Sequence, residues 1–96
     1  MTEDAARALL RDDQPPAAGG LLRALWHGAR GEWDAAHAIA QDDPSAAGAW
    51  VHAWLHRVEG DDANAGYWYR RARRPVAAGP TDAEARAITA ALLGER

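Results

Sequence analysis

Apolar residues recur at the 3.6-residue period of an α-helix in several stretches of the chain. In LLRALWHGAR, residues 21–30, Leu21, Leu22, Leu25 and Ala29 fall on one helical face. Ala and Arg, which favour helices, are abundant, whereas the β-branched residues that favour strands are scarce. No segment shows the strict alternation of apolar and polar residues that is typical of a strand. These patterns predict an all-α fold of five or six helices.

Turn-forming residues divide the helical stretches. Pro15 and Pro16 end the first helix, Gly31 and Gly60 interrupt two later stretches, and Pro75 ends the fifth helix. The resulting helices span about 2–12, 21–30, 32–41, 46–59, 62–74 and 81–93. Because 96 residues form only one small core, we expect a single domain over residues 1–96. Its hairpins lie at about 21–41 and 45–74, and helices 2–12 and 81–93 cap them.

Side chains that satisfy free backbone N–H groups mark three helix starts. Ser45 and Asp61 precede the fourth and fifth helices and are predicted N-cap residues. Thr81 and Glu84 have the spacing of a capping box, in which a hydroxyl and a carboxylate satisfy N–H groups of the first turn. The pair therefore predicts the start of the last helix.

An internal repeat relates the two central hairpins. A shift of 29 residues aligns ALWHGARGEWDAAHAIA (24–40) with AWLHRVEGDDANAGYWY (53–69). The alignment superposes His27 on His56 and Gly31 on Gly60. Each copy has the order helix, glycine turn, helix, and hairpins of this kind bury their apolar faces by stacking on one another.

The second copy resembles a tetratricopeptide or Sel1-like repeat. Gly60 and Asp61 match the turn of that family, Ala65 and Ala72 its small packing positions, and Tyr69 the aromatic residue between them. The first copy has an alanine at the aromatic position, and the period of 29 residues is shorter than the family's 34 or so. The block 24–75 also resembles a group of small, functionally uncharacterised helical bacterial proteins, which implies no mechanism.

The resemblance implies a concave groove that binds extended peptides. If positions are counted back from Gly60, then Trp50, Trp54 and Arg57 lie on the groove side of the fourth helix, and both histidines of that helix face its partner. If Trp50 is taken instead as the bulky anchor of the repeat, the tryptophans are buried. Both registers remain open.

The composition narrows the classes of partner. The chain has 11 basic residues, all of them arginine, against 14 acidic residues, and the net charge of −3 disfavours general nucleic-acid binding. The absence of cysteine excludes disulfides and thiolate metal sites within this sequence. No apolar run reaches the roughly 20 residues of a membrane span, and the acidic start MTEDAARALLRDD lacks the pattern of a signal peptide. We therefore expect a cytoplasmic protein that does not contact membranes.

Four histidines are candidate metal ligands. His52 and His56 are one helical turn apart on the same face, a spacing that suits two ligands, and His27 and His37 lie on the preceding hairpin. Together they could bind zinc or nickel. The candidate carboxylate ligands are Asp34 and Glu59. In the alternative interpretation, the histidines hydrogen-bond across the hairpin interface or line a pocket for a metal-free ligand.

Aromatic and basic residues form a second candidate site. Most tryptophans are expected to fill the core and to hydrogen-bond through their indole N–H groups, and Trp50 and Trp54 are the two that could line a groove. The fifth helix places three arginines around a tyrosine, and this group could hold a phosphate, an acidic peptide or nucleic acid, or could be a solvated face that complements the helix dipole. The candidate binding residues are Trp50, Trp54, Arg57, Tyr67, Arg70, Arg71 and Arg74.

Two functions follow from these sites. The preferred hypothesis is a small interaction module that binds a protein or peptide, including a second copy of itself, because two repeats leave repeat faces poorly covered. The alternative is a metal- or small-ligand-binding protein, hydrolytic in one version, that uses the histidines. The sequence contains no phosphate loop, nucleophile elbow or triad pattern, so it indicates no enzyme class.

Overall fold

A computed structural model describes residues 2–94 of the chain, and Met1, Glu95 and Arg96 of the expected domain lie outside the described residues. The described part is all-α and contains six helices, with no strand. This confirms the predicted fold class. The helices are α1 (Thr2–Arg11), α2 (Gly20–Ala29), α3 (Trp33–Gln41), α4 (Ala46–Val58), α5 (Asp62–Ala72) and α6 (Thr81–Gly94).

The helix starts at α4 and α5 are capped as the sequence predicts. The Ser45 hydroxyl accepts a hydrogen bond from the Gly48 N–H at 3.0 Å, and the Asp61 carboxylate accepts one from the Asn64 N–H at 3.2 Å. The end of α5 differs from the expected position, because the helix stops at Ala72 instead of continuing to the residue before Pro75. Arg73 takes a left-handed conformation with φ 60°, which ends the helical ladder.

The turns of the two central hairpins have the same local geometry. Gly31 and Gly60 have φ of 84° and 86°, a region that glycine enters without a steric penalty. In each turn the glycine N–H donates to the carbonyl three residues earlier, at 3.1 Å and 3.0 Å respectively. The 29-residue offset in the sequence therefore corresponds to two similarly built turns.

The hairpins α2–α3 and α4–α5 meet mainly where α3 packs against α4. Helices α1 and α6 pack against each other, both contact α2, and α6 also contacts α4. Helix α4 is thus the central element, and its Val51, Trp54 and Leu55 are almost fully buried together with Leu25 of α2 and Ile88 of α6. This arrangement places the histidine-bearing face of α4 towards α3 and α5.

A buried polar network joins α4, α5 and α6. The Glu84 carboxylate accepts hydrogen bonds from Arg57 Nη1 at 2.6 Å and from the Tyr69 hydroxyl at 2.5 Å. Arg57 also donates from Nη2 to the Gly79 carbonyl at 2.6 Å. The capping-box role expected for Glu84 is therefore wrong, because both carboxylate oxygens bind side chains of other helices.

No helix within residues 2–94 combines the length and the apolar character that crossing a lipid bilayer requires.

Candidate metal centre

Three of the four histidines meet at the interface between the two hairpins. His52 and His56 project from one face of α4, and His37 of α3 lies opposite them. Each histidine offers one ring nitrogen, and these three nitrogens lie within 4.8 Å of one another. We call His37, His52 and His56 the histidine cluster. His52 and His56 are buried, and His37 is half-buried.

Aromatic stacking orients two of these rings. Trp33 of α3 stacks on His37 with ring centroids 4.6 Å apart, and Trp68 of α5 stacks on His52 at 3.9 Å; each pair is within 12° of parallel. The Trp33 indole N–H donates to the Leu55 carbonyl of α4 at 2.7 Å, so that Trp33 is itself held across the interface. The cluster is therefore enclosed by residues of three helices.

His52 lies deepest in the site. Its Nε2 is 3.0 Å from Nε2 of His37, and this pair forms a hydrogen bond when one of the two nitrogens carries a proton. Its Nδ1 is buried and has no hydrogen-bond partner within residues 2–94. Burial, followed by the charges of His37 and His56, lowers the pKa of His52 from 6.5 to about 4. The ring is thus neutral at neutral pH, which is the state that coordinates metal ions.

The His56 ring is fixed by a carboxylate. Its Nδ1 lies 2.7 Å from a carboxylate oxygen of Glu59, the residue that directly follows α4. A carboxylate can only accept this hydrogen bond, so Nδ1 carries a proton, and in the neutral form of the ring Nε2 is the nitrogen with a lone pair. Glu59 and Asp61 also form, with His56, a second group whose ligand atoms lie within 4.8 Å of one another.

The fourth histidine lies outside the cluster. His27, near the end of α2, pairs through Nδ1 with Glu32 at 2.8 Å and packs edge-on against Trp26. Asp34 is exposed and belongs to neither group of potential ligands within residues 2–94. The expected convergence of all four histidines is therefore realised for three of them, and Glu59, not Asp34, is the carboxylate beside the site.

The residues expected to line a groove on α4 are divided between the core and the surface. Trp54 is only 2% exposed, and its indole N–H donates to the Thr81 carbonyl at 2.8 Å. Arg57 belongs to the Glu84 network. Trp50 is half-buried, and the guanidinium of Arg74 lies 3.4 Å from the centre of its ring. Of the two tryptophans, Trp50 is therefore the one that is partly exposed.

Of the three arginines expected around Tyr67, the structure places Arg71 beside it, whereas Arg74 follows the end of α5 and lies over Trp50. Tyr67 is 43% exposed, its hydroxyl accepts a hydrogen bond from Arg71 at 3.1 Å, and Arg71 also lies over Trp68. Arg70 is exposed on the same helix. Neither Arg70, Arg71 nor Arg74 forms an ion pair with any residue of 2–94.

Two residues of the site were assigned only to the core from the sequence. Trp33 and Trp68 form the walls of the histidine cluster. For Trp33 a local signal exists, because it precedes His37 by four residues and therefore shares a helical face with it. Trp68 reaches His52 only through the packing of α5 on α4, so no spacing in the sequence marks it.

No family model, curated protein or solved structure matches the chain. The fold and the site define the class: an all-α protein of six helices within residues 2–94, with three histidines gathered between its hairpins. The resemblance to tetratricopeptide repeats stays a prediction.

Proposed function

We propose that this protein binds a divalent transition-metal ion, zinc in the first instance, through His37, His52 and His56. The observation that carries the proposal is the convergence of three imidazole rings at a largely buried interface. Three histidines with a water or a small ligand in the fourth position are a typical zinc coordination set.

The separation of the ring nitrogens supports this proposal. The Nε2 atoms of His37 and His52 are 3.0 Å apart. Two nitrogens bound at about 2.0–2.1 Å to one tetrahedral zinc ion lie roughly 3.3 Å apart. To coordinate one ion, the two rings would have to separate by a few tenths of an ångström and turn so that both Nε2 lone pairs point to it, and the proton between them would have to move to Nδ1 of the ring that carries it. His56 must approach further, and its lone pair on Nε2 is available for coordination.

The side chains around the histidine cluster orient its rings as a histidine metal site requires. Glu59 holds the proton of His56 on Nδ1, which is the outer-shell carboxylate arrangement common around zinc-bound histidines. Trp33 and Trp68 restrict the rotation of His37 and His52 by stacking. Burial keeps the His52 ring neutral at neutral pH, the state in which one of its ring nitrogens has a lone pair for a metal ion.

Metal titration of the chelator-treated protein tests the proposal. Zinc should bind with one equivalent and raise the melting temperature, since an ion at about 100 times its Kd adds roughly 2.7 kcal/mol to the free energy of unfolding. Cobalt in place of zinc should give the visible absorption bands of a four-coordinate ion with nitrogen ligands. Nickel, titrated in parallel, separates a tetrahedral preference from general affinity for imidazole.

Matched histidine variants make this test specific. His37→Gln and His52→Gln should each abolish the one-equivalent binding, whereas His27→Gln should retain it, because His27 lies outside the cluster. Circular dichroism in chelator shows whether each variant is folded. Equal metal binding by the wild type and the His52→Gln variant would contradict the proposal.

A second candidate function is the binding of an acidic peptide. It is supported by the unpaired arginines at the end of α5 and by Trp50, which lies beside them under Arg74. A peptide with alternating glutamate and apolar residues, titrated at low and high salt, should bind the wild type and not the Arg71→Gln/Arg74→Gln variant. Sedimentation of the protein alone determines whether a second copy occupies this face instead. Binding that is unaffected by salt and by both substitutions counts against this function.

A further inference from the structure

A cleft separate from the histidine cluster opens between α1 and α6. Its volume is about 730 Å³, and the last turns of α2 and α4 complete its wall. This size lies within the roughly 300–1,000 Å³ that is usual for small-molecule pockets. No histidine lines the cleft, so it is independent of the proposed metal site.

The rim of the cleft is positively charged. Arg7 and Arg11 of α1 are one helical turn apart, and Arg86 of α6 lines the cleft with them. The only acidic residue that lines it within the described chain is Asp82, which lies 3.5 Å from Arg86. Neither Arg7 nor Arg11 forms an ion pair with any residue of 2–94. The lining thus carries three positive charges and one negative charge, in a protein whose net charge is −3.

The interior of the cleft is apolar. Leu10 of α1, Val58 at the end of α4 and Ala85 of α6 line it, and the nearly buried ring of Trp54 forms part of its floor. Val58 is 39% exposed. Apolar surface of this kind favours the burial of a hydrocarbon chain or an aromatic body.

We propose that this cleft binds a small amphiphilic anion, with an acidic head group between the arginines and an apolar body against Leu10, Val58 and Ala85. Arginine presents several N–H donors that match the oxygens of a phosphate or a carboxylate, and two unpaired guanidinium groups one turn apart can hold the same head group. The two head groups share this chemistry, and binding measurements distinguish them.

Titration with three eight-carbon probes tests the inference. Octyl phosphate and octanoate carry the head group, and octyl glucoside carries the same chain without a charge. Chelator is present throughout, so that the outcome does not depend on the metal site. The indole N–H resonance of Trp54 serves as the reporter, because this group donates to Thr81 and both residues line the cleft. We expect saturable shifts with one or both anions and a much smaller effect of the glucoside.

Variants with opposite expected effects separate binding from stability. Arg7→Gln/Arg11→Gln should weaken anion binding by about tenfold or more. Arg23→Gln/Arg73→Gln, which removes two exposed arginines elsewhere, should leave it unchanged. Asp82→Asn should strengthen binding, since it removes the carboxylate that lines the cleft within residues 2–94. Val58→Asp should abolish binding while leaving the helix content intact.

The results that would overturn the inference are equally definite. Binding of octyl glucoside as tight as that of octyl phosphate would show that the cleft recognises only apolar surface. Equal anion affinity in the Arg7→Gln/Arg11→Gln variant and its control would show that the arginines are not the head-group site. The absence of any saturable shift of the Trp54 resonance would refute the site as a whole.

Discussion

The protein buries two polar groups of similar size in two different ways. On one side of α4, Glu84 binds Arg57 and Tyr69, and both carboxylate oxygens are occupied. On the other side, His52 is buried against His37, and its Nδ1 has no hydrogen-bond partner in the described part of the chain. A buried polar atom without a partner costs about 1–3 kcal/mol, and buried polar groups in folded proteins are usually satisfied.

This difference distinguishes a structural network from a candidate site. In the Glu84 network, side chains of α4, α5 and α6 satisfy one another. The network therefore stabilises the fold without a ligand. The histidine cluster brings three imidazole rings together at a largely buried interface, where the partners available within residues 2–94 leave His52 Nδ1 unsatisfied. The predictions below test this distinction, beginning with the largest expected effect.

Removal of the Glu84 carboxylate should have the largest effect on stability. The Glu84→Ala substitution leaves Arg57 without its counter-ion and Tyr69 without its acceptor, at side-chain exposures of 13% for Arg57 and 7% for Glu84. Breaking a buried ion pair of this kind costs about 3–5 kcal/mol of unfolding free energy. Urea denaturation of the metal-free protein measures the loss.

Glu84→Gln is the matched control for that measurement. Its amide oxygen can still accept a hydrogen bond from Tyr69 but gives Arg57 no counter-ion, so a loss smaller than that of Glu84→Ala but not zero is expected. In the wild type, burial and the Glu84 carboxylate raise the pKa of Tyr69 above its usual value, and this carboxylate effect disappears in both variants. If Glu84→Ala unfolds no more easily than the wild type, the network does not stabilise the fold.

Acid should destabilise the metal-free protein through His52. The pKa of His52 is about 4 in the folded state and 6.5 in the unfolded state, so between these values only the unfolded state takes up this proton. The free energy of unfolding therefore falls as the pH decreases from about 7 to 4, by about 3 kcal/mol from this residue, and is unaffected by it above that range. Urea denaturation at several pH values in chelator measures the slope.

Subtraction of a variant isolates this histidine from the carboxylates that also titrate in acid. The difference in unfolding free energy between the wild type and His52→Gln should change by about the same 3 kcal/mol between pH 7 and pH 4. A difference that stays constant across this range would mean that the folded protein accommodates a charged His52.

Local features of the sequence sufficed to predict the helices but not the partners of their polar residues. Ser45 and Asp61 cap helices as expected because a cap is formed within one turn. Glu84 has the same local signature of a cap, yet it binds Arg57 and Tyr69 instead. These partners precede it in the chain by 27 and 15 positions. Spacing alone does not show which competing acceptor a buried arginine selects, since that depends on helix packing.

Only the part of the histidine cluster that lies on one helix could be predicted from the sequence, because the rest depends on how the helices pack. His52 and His56 share a face of one helix, which the sequence determines directly. The addition of His37 and the separation of His27 depend on which helix of the first hairpin packs on α4. The repeat alignment equates His27 with His56, and both rings do pair with a carboxylate through Nδ1. Their surroundings differ because α3 supplies the main contact with α4.

Substitution of His37 should separate metal binding from stability. In metal-free protein, His37→Gln should cost about 1 kcal/mol or less, because the glutamine amide can replace the hydrogen bond to His52 and the residue is half-buried. Zinc should then fail to raise the melting temperature. The His37→Gln variant should thus lose little unfolding free energy and all of the stabilisation by zinc. The Glu84→Ala variant should show the reverse. A loss of several kcal/mol in chelator would place His37 among the structural residues.

The smallest effect is expected at His27, the repeat equivalent of His56. Its pairing with Glu32 is partly exposed, with side chains 22% and 53% accessible, and surface pairs of this kind contribute at most about 1 kcal/mol. We expect His27→Gln to change the unfolding free energy by about 0.5 kcal/mol or less, and to leave the response to zinc intact. Thermal denaturation with and without zinc measures both quantities in one experiment. A lost zinc response would show that burial beside α4 is not what selects the metal ligands, and that the two hairpins contribute equivalent histidines to the site.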